Sequence, residues 1–237
     1  MNGMGVPSIQ YLRRFAVNRP GEPEVIRQTL YDHEILPGAG TTQLNFFQSP
    51  IGQGVASALG AAVGSRKTRA DTNMTLAGQL STLLNFVIQK IEVSIEVGSV
   101  ADDDTYTQAS AGVFNAAASQ ALTEAVNDVE TFYRSGWLEL EIGNKLYLIE
   151  APIGKFPPST QTVVDSSVAT NSATVGLTTF RKGNRAGRPY FVDPALSLMS
   201  NQNFVARLNW PGVVAMPSGF NARVGITLDG VTFRAAQ

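Results

Sequence analysis

Residues 86–97 read FVIQKIEVSIEV, and this stretch carries the clearest strand pattern in the chain. From Ile91 to Val97, apolar residues alternate with polar ones, as they do in a strand that buries one face. Phe86 and Ile88 fall on the opposite parity, and the change occurs at the polar pair Gln89-Lys90. One extra residue at this point would return both groups to a common face, so the sequence predicts a β-bulge. In the alternative, a regular strand sends Phe86 and Ile88 to the opposite face, under a neighbouring subunit or a helix.

Similar patterns lie on both sides of this stretch. The other segments that we interpret as strands are 24–36, 41–47, 138–142, 145–149, 204–210, 220–228 and 231–234. Gly143-Asn144 has the glycine-first composition of a type II′ hairpin turn, and Asp229-Gly230 predicts a second turn into the last segment. The sequence therefore predicts an all-β chain that folds as one antiparallel β-sandwich domain over residues 24–237.

One helix and several long loops interrupt these strands. The residues that share one stripe at helical spacing are Phe114, Ala118, Ala121, Leu122 and Ala125. A β pattern resumes at Val129. Long loops are predicted from about residue 48 to residue 80, and over the Ser/Thr/Asn-rich residues as far as Thr174. The basic residues 181–185 are interpreted as a solvated turn.

Residues 1–23 mix glycine, proline and arginine with aromatic and aliphatic side chains. We interpret them as an amino-terminal arm outside the sandwich. Terminal segments are often partly disordered, but the apolar content of this one favours an arm that orders against a neighbouring subunit. The residues predicted to make that assembly contact are Tyr11, Arg13, Arg14, Phe15 and Arg19.

The composition restricts the classes of function. Charged residues make up 16% of the chain and the formal net charge is −1. A low charged fraction suits a subunit that buries much of its exterior, and the near-neutral charge disfavours a protein whose main task is coating nucleic acid. Because the chain has no cysteine, disulfides, thiol catalysis and thiolate metal sites are excluded. Nothing resembles a secretory signal, and the most apolar run, 51–64, is too short to span a membrane.

Few residues suggest chemistry. The single histidine, His33, follows Asp32 in a predicted strand, where sequence neighbours point to opposite faces and cannot act together. The acidic run 102–104 lacks the ligand spacing of a calcium loop. The basic cluster 181–185 is interpreted as part of a solvated turn. The sequence contains no phosphate-binding glycine loop, no nucleophile elbow and no zinc motif.

Two pairs of glutamates could in principle serve glycoside hydrolysis. They are Glu92 with Glu96 and Glu139 with Glu141, and each pair lies on the polar face of an amphipathic strand. Charged residues occupy such faces without any catalytic role. Trp137 beside Glu139 is compatible with a sugar platform and equally with an interface aromatic. The sequence therefore predicts a protein that is not an enzyme and that has no metal site and no cofactor.

The layout of the chain resembles jelly-roll capsid proteins of small, tailless icosahedral bacteriophages. The segments that carry this resemblance are Leu36 to Gly40, Leu44 to Phe47, Lys67 to Met74, Gln202 to Val205 and Val224 to Val231, with the long strand 86–97 between them. The resemblance implies a jelly-roll sandwich with long loops and one inserted helix. A compact double jelly roll is the alternative, although it needs about eight strands in each half and the amino-terminal half shows fewer.

The resemblance also implies a function. The chain would be a structural virion protein that builds an icosahedral shell, with copies of itself and other capsid proteins as partners. It would be made in the host cytoplasm and reside in the virion. The resemblance does not decide whether the chain contacts an internal viral membrane there. The alternative from the sequence is a β-sandwich module that binds carbohydrate or forms a fibre head, for which only Trp137 and Trp210 are available as exposed aromatic platforms.

Overall fold

A computed structural model describes residues 24–58, 61–62, 64–97, 128–158, 162–169, 178–185, 187–215 and 221–234. The strands are β1 (Glu24–Leu36), β2 (Thr41–Phe46), β3 (Leu84–Val97), β4 (Trp137–Ile142), β5 (Lys145–Glu150), β6 (Thr162–Ala169), β7 (Thr178–Arg185), β8 (Tyr190–Leu198), β9 (Phe204–Val214) and β10 (Ala222–Arg234). Helix α1 covers residues 128–135, and a short 3-10 helix covers Ile153–Lys155.

Eight of these strands form two antiparallel sheets. The first sheet has the order β1-β10-β3-β8, and the second has the order β2-β9-β4-β5. The chain crosses between the sheets after β1, β2 and β3 and again before β8, β9 and β10, which is the connectivity of an eight-stranded jelly roll. The predicted sandwich fold is therefore confirmed. The described residues form a single jelly roll, with the two-stranded sheet β6-β7 inserted between β5 and β8.

The core lies between the two sheets and is built from the alternating apolar residues of both. On β3 its members are Phe86, Ile88, Ile91, Val93 and Ile95, all buried in one cluster. Lys90 pairs with Asp229, the next ladder pair joins Ile88 to Gly230, and Gln89 is the extra residue between them. The predicted bulge is confirmed, and the regular-strand alternative is wrong.

The prediction of a turn at Asp229-Gly230 is wrong. Both residues lie inside β10, which pairs with β1 on one side and with β3 on the other along its length. A Cβ atom on Gly230 would lie 1.9 Å from the carbonyl oxygen of Val87. The glycine therefore permits a close approach of two backbones at the bulge and does not reverse the chain.

The β pattern predicted from Val129 is also wrong at its start, because residues 128–135 are helical. Val129, Phe132 and Tyr133 are buried, and their spacing places them on one face of a helix. The hydroxyl of Tyr133 donates to the Val93 carbonyl at 3.2 Å, and the Trp210 indole donates to the Phe132 carbonyl at 3.0 Å. These contacts fix α1 against both sheets. The helix predicted over 114–125 lies outside the described residues.

Other predictions had mixed outcomes. The β4-β5 hairpin is confirmed, with Gly143 at φ 63° as its turn requires. Residues 162–169 are not a loop, because they form β6, and the basic cluster 181–185 belongs to β7. Strand β8 was missed, since its sequence alternates poorly and contains Asp193 and Pro194.

Candidate functional site

The five residues predicted for the assembly contact, Tyr11, Arg13, Arg14, Phe15 and Arg19, lie outside the described residues. The described residues offer a second candidate surface, on the sandwich itself. Its two sheets leave two open sides: one between the edge strands β1 and β2, and one between the edge strands β5 and β8.

The side formed by β5 and β8 is apolar and exposed. The Tyr190 hydroxyl lies 3.3 Å from a Glu150 carboxylate oxygen, which shows that the two edge strands are neighbours. We define the apolar edge as Leu146, Tyr147 and Ile149 of β5, whose exposed fractions are 47%, 50% and 60%. Single exposed apolar residues are ordinary on protein surfaces, whereas a cluster of them marks an interaction site.

A local irregularity sets the direction of the β5 side chains. Leu148 pairs with Leu140, whereas Leu146 pairs with Glu141, so the register shifts around Tyr147. Ile149 pairs with Glu139. Because Glu139 and Glu141 alternate with the buried residues of β4, Leu146 and Ile149 both lie on the outer face of the sheet.

Phe191 of β8 is also exposed, but it pairs with Lys90 on the outer face of the first sheet, where two cations lie against its ring. The Lys90 ammonium lies 5.3 Å from the centre of its ring and the Arg188 guanidinium lies 4.8 Å from it. Both distances are within the range of a cation–π interaction. The ring is held in place at the surface without being covered.

On the opposite side, formed by β1 and β2, the middle of β1 is covered. The segment 71–73 lies along β1, where Thr72 forms an antiparallel bridge with Asp32. The amide of His33 donates to the Asp71 carbonyl at 2.9 Å, and the amide of Asn73 donates to the Tyr31 carbonyl at 3.3 Å. Backbone groups that an edge strand would otherwise offer to another chain are therefore satisfied within the subunit.

A buried ion cluster holds this covering segment in place. Lys67 has a fully buried side chain, and its ammonium donates to Asp32 Oδ1 at 2.8 Å and to Glu34 Oε1 at 2.6 Å. The other Asp32 oxygen accepts from the Phe47 amide at 2.5 Å. Burial raises the pKa of Asp32 and of Glu34 above their usual values, more than the neighbouring ammonium lowers them.

Asp71 organises the rest of the loop. Its carboxylate accepts from the backbone amides of Ser57, Ala58 and Thr68 at 2.8 to 2.9 Å. Burial alone would raise the pKa of Asp71, but these hydrogen bonds outweigh it and hold the pKa below its usual value. The Arg223 guanidinium donates to the Ala70 carbonyl at 2.8 Å. The loop from β2 to β3 is thus fastened to the first sheet.

The histidine belongs to the same region and is satisfied there. His33 Nδ1 lies 2.9 Å from the Asp71 carbonyl oxygen. Burial and the nearby charge of Arg223 lower the pKa of the His33 imidazole. Asp32 points into the interior on the other face of β1. The two residues are separated by the strand, as the sequence predicts.

The residues considered for carbohydrate chemistry are engaged in other contacts. Trp210 is buried in the core, and the Trp137 indole donates to Glu139 Oε1 at 2.8 Å. Glu141 forms an ion pair with Arg207 at 2.5 Å, and Glu96 forms one with Arg223 at 3.1 Å. The acidic run 102–104 lies outside the described residues.

A pocket of about 590 Å³ lies against β1, β3 and β10, where Arg27, Glu92 and Asp229 belong to its lining. A second cavity is large enough for a small ligand. It has a volume of about 610 Å³ and lies between the start of β1, the end of β10 and the loop before β3. Its floor is apolar, with Leu30, Met74 and Phe86, and Arg69 and Arg234 belong to its wall. The lining contains no carboxylate and no histidine, so it offers no acid–base pair for catalysis.

Among the described residues, no group of three or more histidine, aspartate or glutamate side chains is placed to hold a metal ion. No described helix is both long and apolar enough to cross a membrane.

The sequence indicated neither the apolar edge nor the buried ion cluster around Lys67. The apolar edge was visible only as a hairpin strand, and the Lys67 cluster only as a polar loop. Comparison of the chain with protein-family models, with curated proteins and with solved structures found no match.

Proposed function

We propose that the chain is a structural subunit of an icosahedral virion shell, assembled through side-by-side contacts with copies of itself and with other capsid proteins. The observation that carries this proposal is a jelly-roll sandwich with one partly covered side and one apolar side. A subunit of a shell needs a rigid body and an exposed lateral surface, and this fold supplies both. In this proposal the chain has no catalytic role, is made in the host cytoplasm and resides in the virion.

The charge distribution agrees with this function. The formal net charge of −1 suits protein partners better than the phosphate backbone of nucleic acid, which selects strongly basic surfaces. The ion pairs on the outer face of the second sheet, such as Glu141 with Arg207, satisfy charges within the subunit. Burial of the apolar edge against a partner would therefore be favourable.

The alternative, a carbohydrate-binding or fibre-head module, has less support. Sugar sites use exposed aromatic rings as platforms, but Trp210 lies in the core and Trp137 is half-buried and bonded to Glu139. The aromatic residue of the apolar edge, Tyr147, lies between Leu146 and Leu148 in β5, an arrangement that favours a protein partner.

The shell proposal predicts that the purified chain, concentrated alone or with the other proteins of its particle, forms closed particles of uniform diameter. Electron microscopy of negatively stained samples would measure this directly. A glycan array probed with the same protein serves as the control for the alternative. Monomers that form no particles and bind one class of glycan would contradict the shell proposal.

The arm proposal predicts that deletion of residues 1–20 leaves the thermal transition of the isolated subunit nearly unchanged and impairs particle formation. Strand β1 begins at Glu24, which pairs with Arg234 at the end of β10, so the deletion keeps every ladder pair of the described strands. Calorimetry of the truncated chain measures the first effect and electron microscopy the second. If the truncated chain fails to fold, residues 1–20 belong to the sandwich and not to an arm.

A further inference from the structure

Strand β5 is the only edge strand of the two sheets in the described part of the chain that has neither a cover nor a polar sequence. The segment 71–73 lies along β1, and β2 directs Gln43 and Asn45 outward. Strand β8 has Asp193-Pro194 at its centre, where its pairing with β3 is interrupted. Proline, charge and interrupted pairing are the usual protections of an edge. Strand β5 instead contains the run Leu146 to Ile149.

The sequence of β5 is self-complementary when two copies run antiparallel. It reads Lys-Leu-Tyr-Leu-Ile-Glu from Lys145 to Glu150. A two-fold axis between Tyr147 and Leu148 places Lys145 of each copy opposite Glu150 of the other. Opposite charges then lie at both ends of the pair, where cross-strand ion pairs are favourable. Glu150 already forms an ion pair with Lys155 of its own chain at 2.6 Å, so Lys145 of the second copy would share this carboxylate with Lys155.

The same axis matches the exposed side chains. Leu146 of one copy lies opposite Ile149 of the other, and the shift around Tyr147 leaves both on the outer face of the sheet. Each buries the other's apolar surface. Pairing of the two β5 strands also extends the sheet β2-β9-β4-β5 from one subunit into the next.

We infer that the partner of β5 is β5 of a second copy of this chain, paired antiparallel about that two-fold axis. A strand of six residues is about 20 Å long, which is short for a permanent dimer interface. The contact is therefore weak between two free subunits and gains strength where many copies are held together. This inference refines the proposed shell function by naming one of its contacts.

The absence of cysteine from the chain allows a test of the register. We propose two single variants, Leu146→Cys and Ile149→Cys. Directly opposite positions are about 5 Å apart between Cβ atoms, within the range that a disulfide can bridge with small adjustments. In the proposed register each position faces the other position of the partner, and not itself. Two copies of the same position are offset by three residues, about 10 Å, which is too far for a disulfide.

Under mild oxidation, an equimolar mixture of the two variants should form a covalent dimer about tenfold faster than either variant alone, because rates of disulfide formation depend on access. A Val213→Cys variant mixed with Leu146→Cys is the matched control, since Val213 is 64% exposed on β9, away from β5. The cross-link is measured by non-reducing electrophoresis, on free subunits and on particles. Equal rates for the mixture, the single variants and the control would overturn the inference.

The two proposals fail differently. Particles formed by the unmodified chain, together with no preferential cross-link in the mixed variants, would overturn the β5 contact and leave the shell function in place. A preferential cross-link from a chain that never forms particles would support the β5 contact and overturn the shell function.

Discussion

Replacing Gly230 with alanine should lower the free energy of unfolding by about 4 kcal/mol or more, a loss large enough to prevent folding of many domains. The added Cβ would lie 1.9 Å from the Val87 carbonyl oxygen and 3.0 Å from the Phe86 ring. The carbonyl belongs to β3 beside the bulge, so it cannot move away without breaking ladder pairs between β3 and β10. Chemical denaturation of the purified variant would measure the loss.

Gly212 provides the matched control for this change. It also lies in a long strand, β9, but a Cβ there would meet no other atom within 4 Å. Gly212→Ala should therefore change the free energy of unfolding by no more than about 0.5 kcal/mol, as surface substitutions usually do. Equal stabilities of the two variants would mean that β3 and β10 do not approach each other as closely as the bulge requires.

The bulge shows what the sequence could predict. Side chains alternate between the two faces of a strand with a period of two residues. The apolar residues change from even to odd positions at Gln89-Lys90, so the bulge can be recognised from the local sequence alone. The Asp229-Gly230 pair has the residues of a typical hairpin turn. A glycine is required there because the backbone of β3, a different strand, lies too close for a side chain. The glycine's packing against Val87 could not be predicted from its neighbours in the sequence.

The prediction of a β pattern from Val129, where helix α1 lies, is wrong for a related reason. The described length of α1 is eight residues, which is too short for the periodicity of Val129, Phe132 and Tyr133 to be distinguished from a strand pattern. Its hydrogen bonds run to Val93 on β3 and from Trp210 on β9. These contacts with other strands are part of what fixes its conformation, and they have no signature in the local sequence.

The apolar edge and the Lys67 cluster could not be predicted, because each depends on contacts between distant segments. The composition of β5 was apparent, but the pattern of a single strand does not show whether it lies at the edge or at the centre of a sheet. Lys67 lies in a run of polar residues that is typical of a solvated loop. Its burial depends on Asp32 and Glu34, which are 35 and 33 residues away along the chain.

Replacing Lys67 with methionine should lower the free energy of unfolding at neutral pH by about 3–5 kcal/mol, the usual cost of leaving buried charges without their partner. Methionine fills a similar volume, but the side chain of Asp32 is fully buried and that of Glu34 largely so. Both carboxylates would then lack their cation. Loss of these ion pairs should also weaken the attachment of the loop to β1. Faster proteolytic cleavage within residues 48–80 would detect this.

The loss should depend on pH in a defined direction. The pKa of Asp32 and of Glu34 is raised in the folded protein, and removal of the ammonium raises it further. Below the ordinary carboxyl pKa of about 4, both groups are neutral in the folded and unfolded states and the penalty vanishes. As the pH rises through the raised folded values, the penalty appears in full. The deficit of Lys67→Met should therefore shrink from about pH 7 to about pH 5.

Two other groups near the cluster, Asp71 and His33, also affect how stability changes with pH. The pKa of Asp71 is lowered, so its contribution to stability is lost only as the pH falls below the ordinary carboxyl value. The pKa of His33 is also lowered, so its protonation in the unfolded state reduces stability as the pH falls through about 6.5. Lys67 is not among the causes of either shift. The charge of Asp32 raises the pKa of His33, so the difference between variant and unmodified chain reports on Asp32 and Glu34 directly and on His33 through Asp32.

A triple variant with Asp32→Asn, Glu34→Gln and Lys67→Met provides the rescue. It removes all three charges, and the amide oxygen at position 32 can still accept from the Phe47 amide as the carboxylate does. Replacement of a whole buried ion cluster by neutral groups is often nearly neutral for stability, so most of the lost free energy should return and its pH dependence should disappear. Denaturation curves of the three proteins between about pH 5 and about pH 7 would measure both effects. A single variant whose deficit stays constant with pH, or a triple variant no more stable than the single one, would show that Lys67 acts through packing and not through its charge.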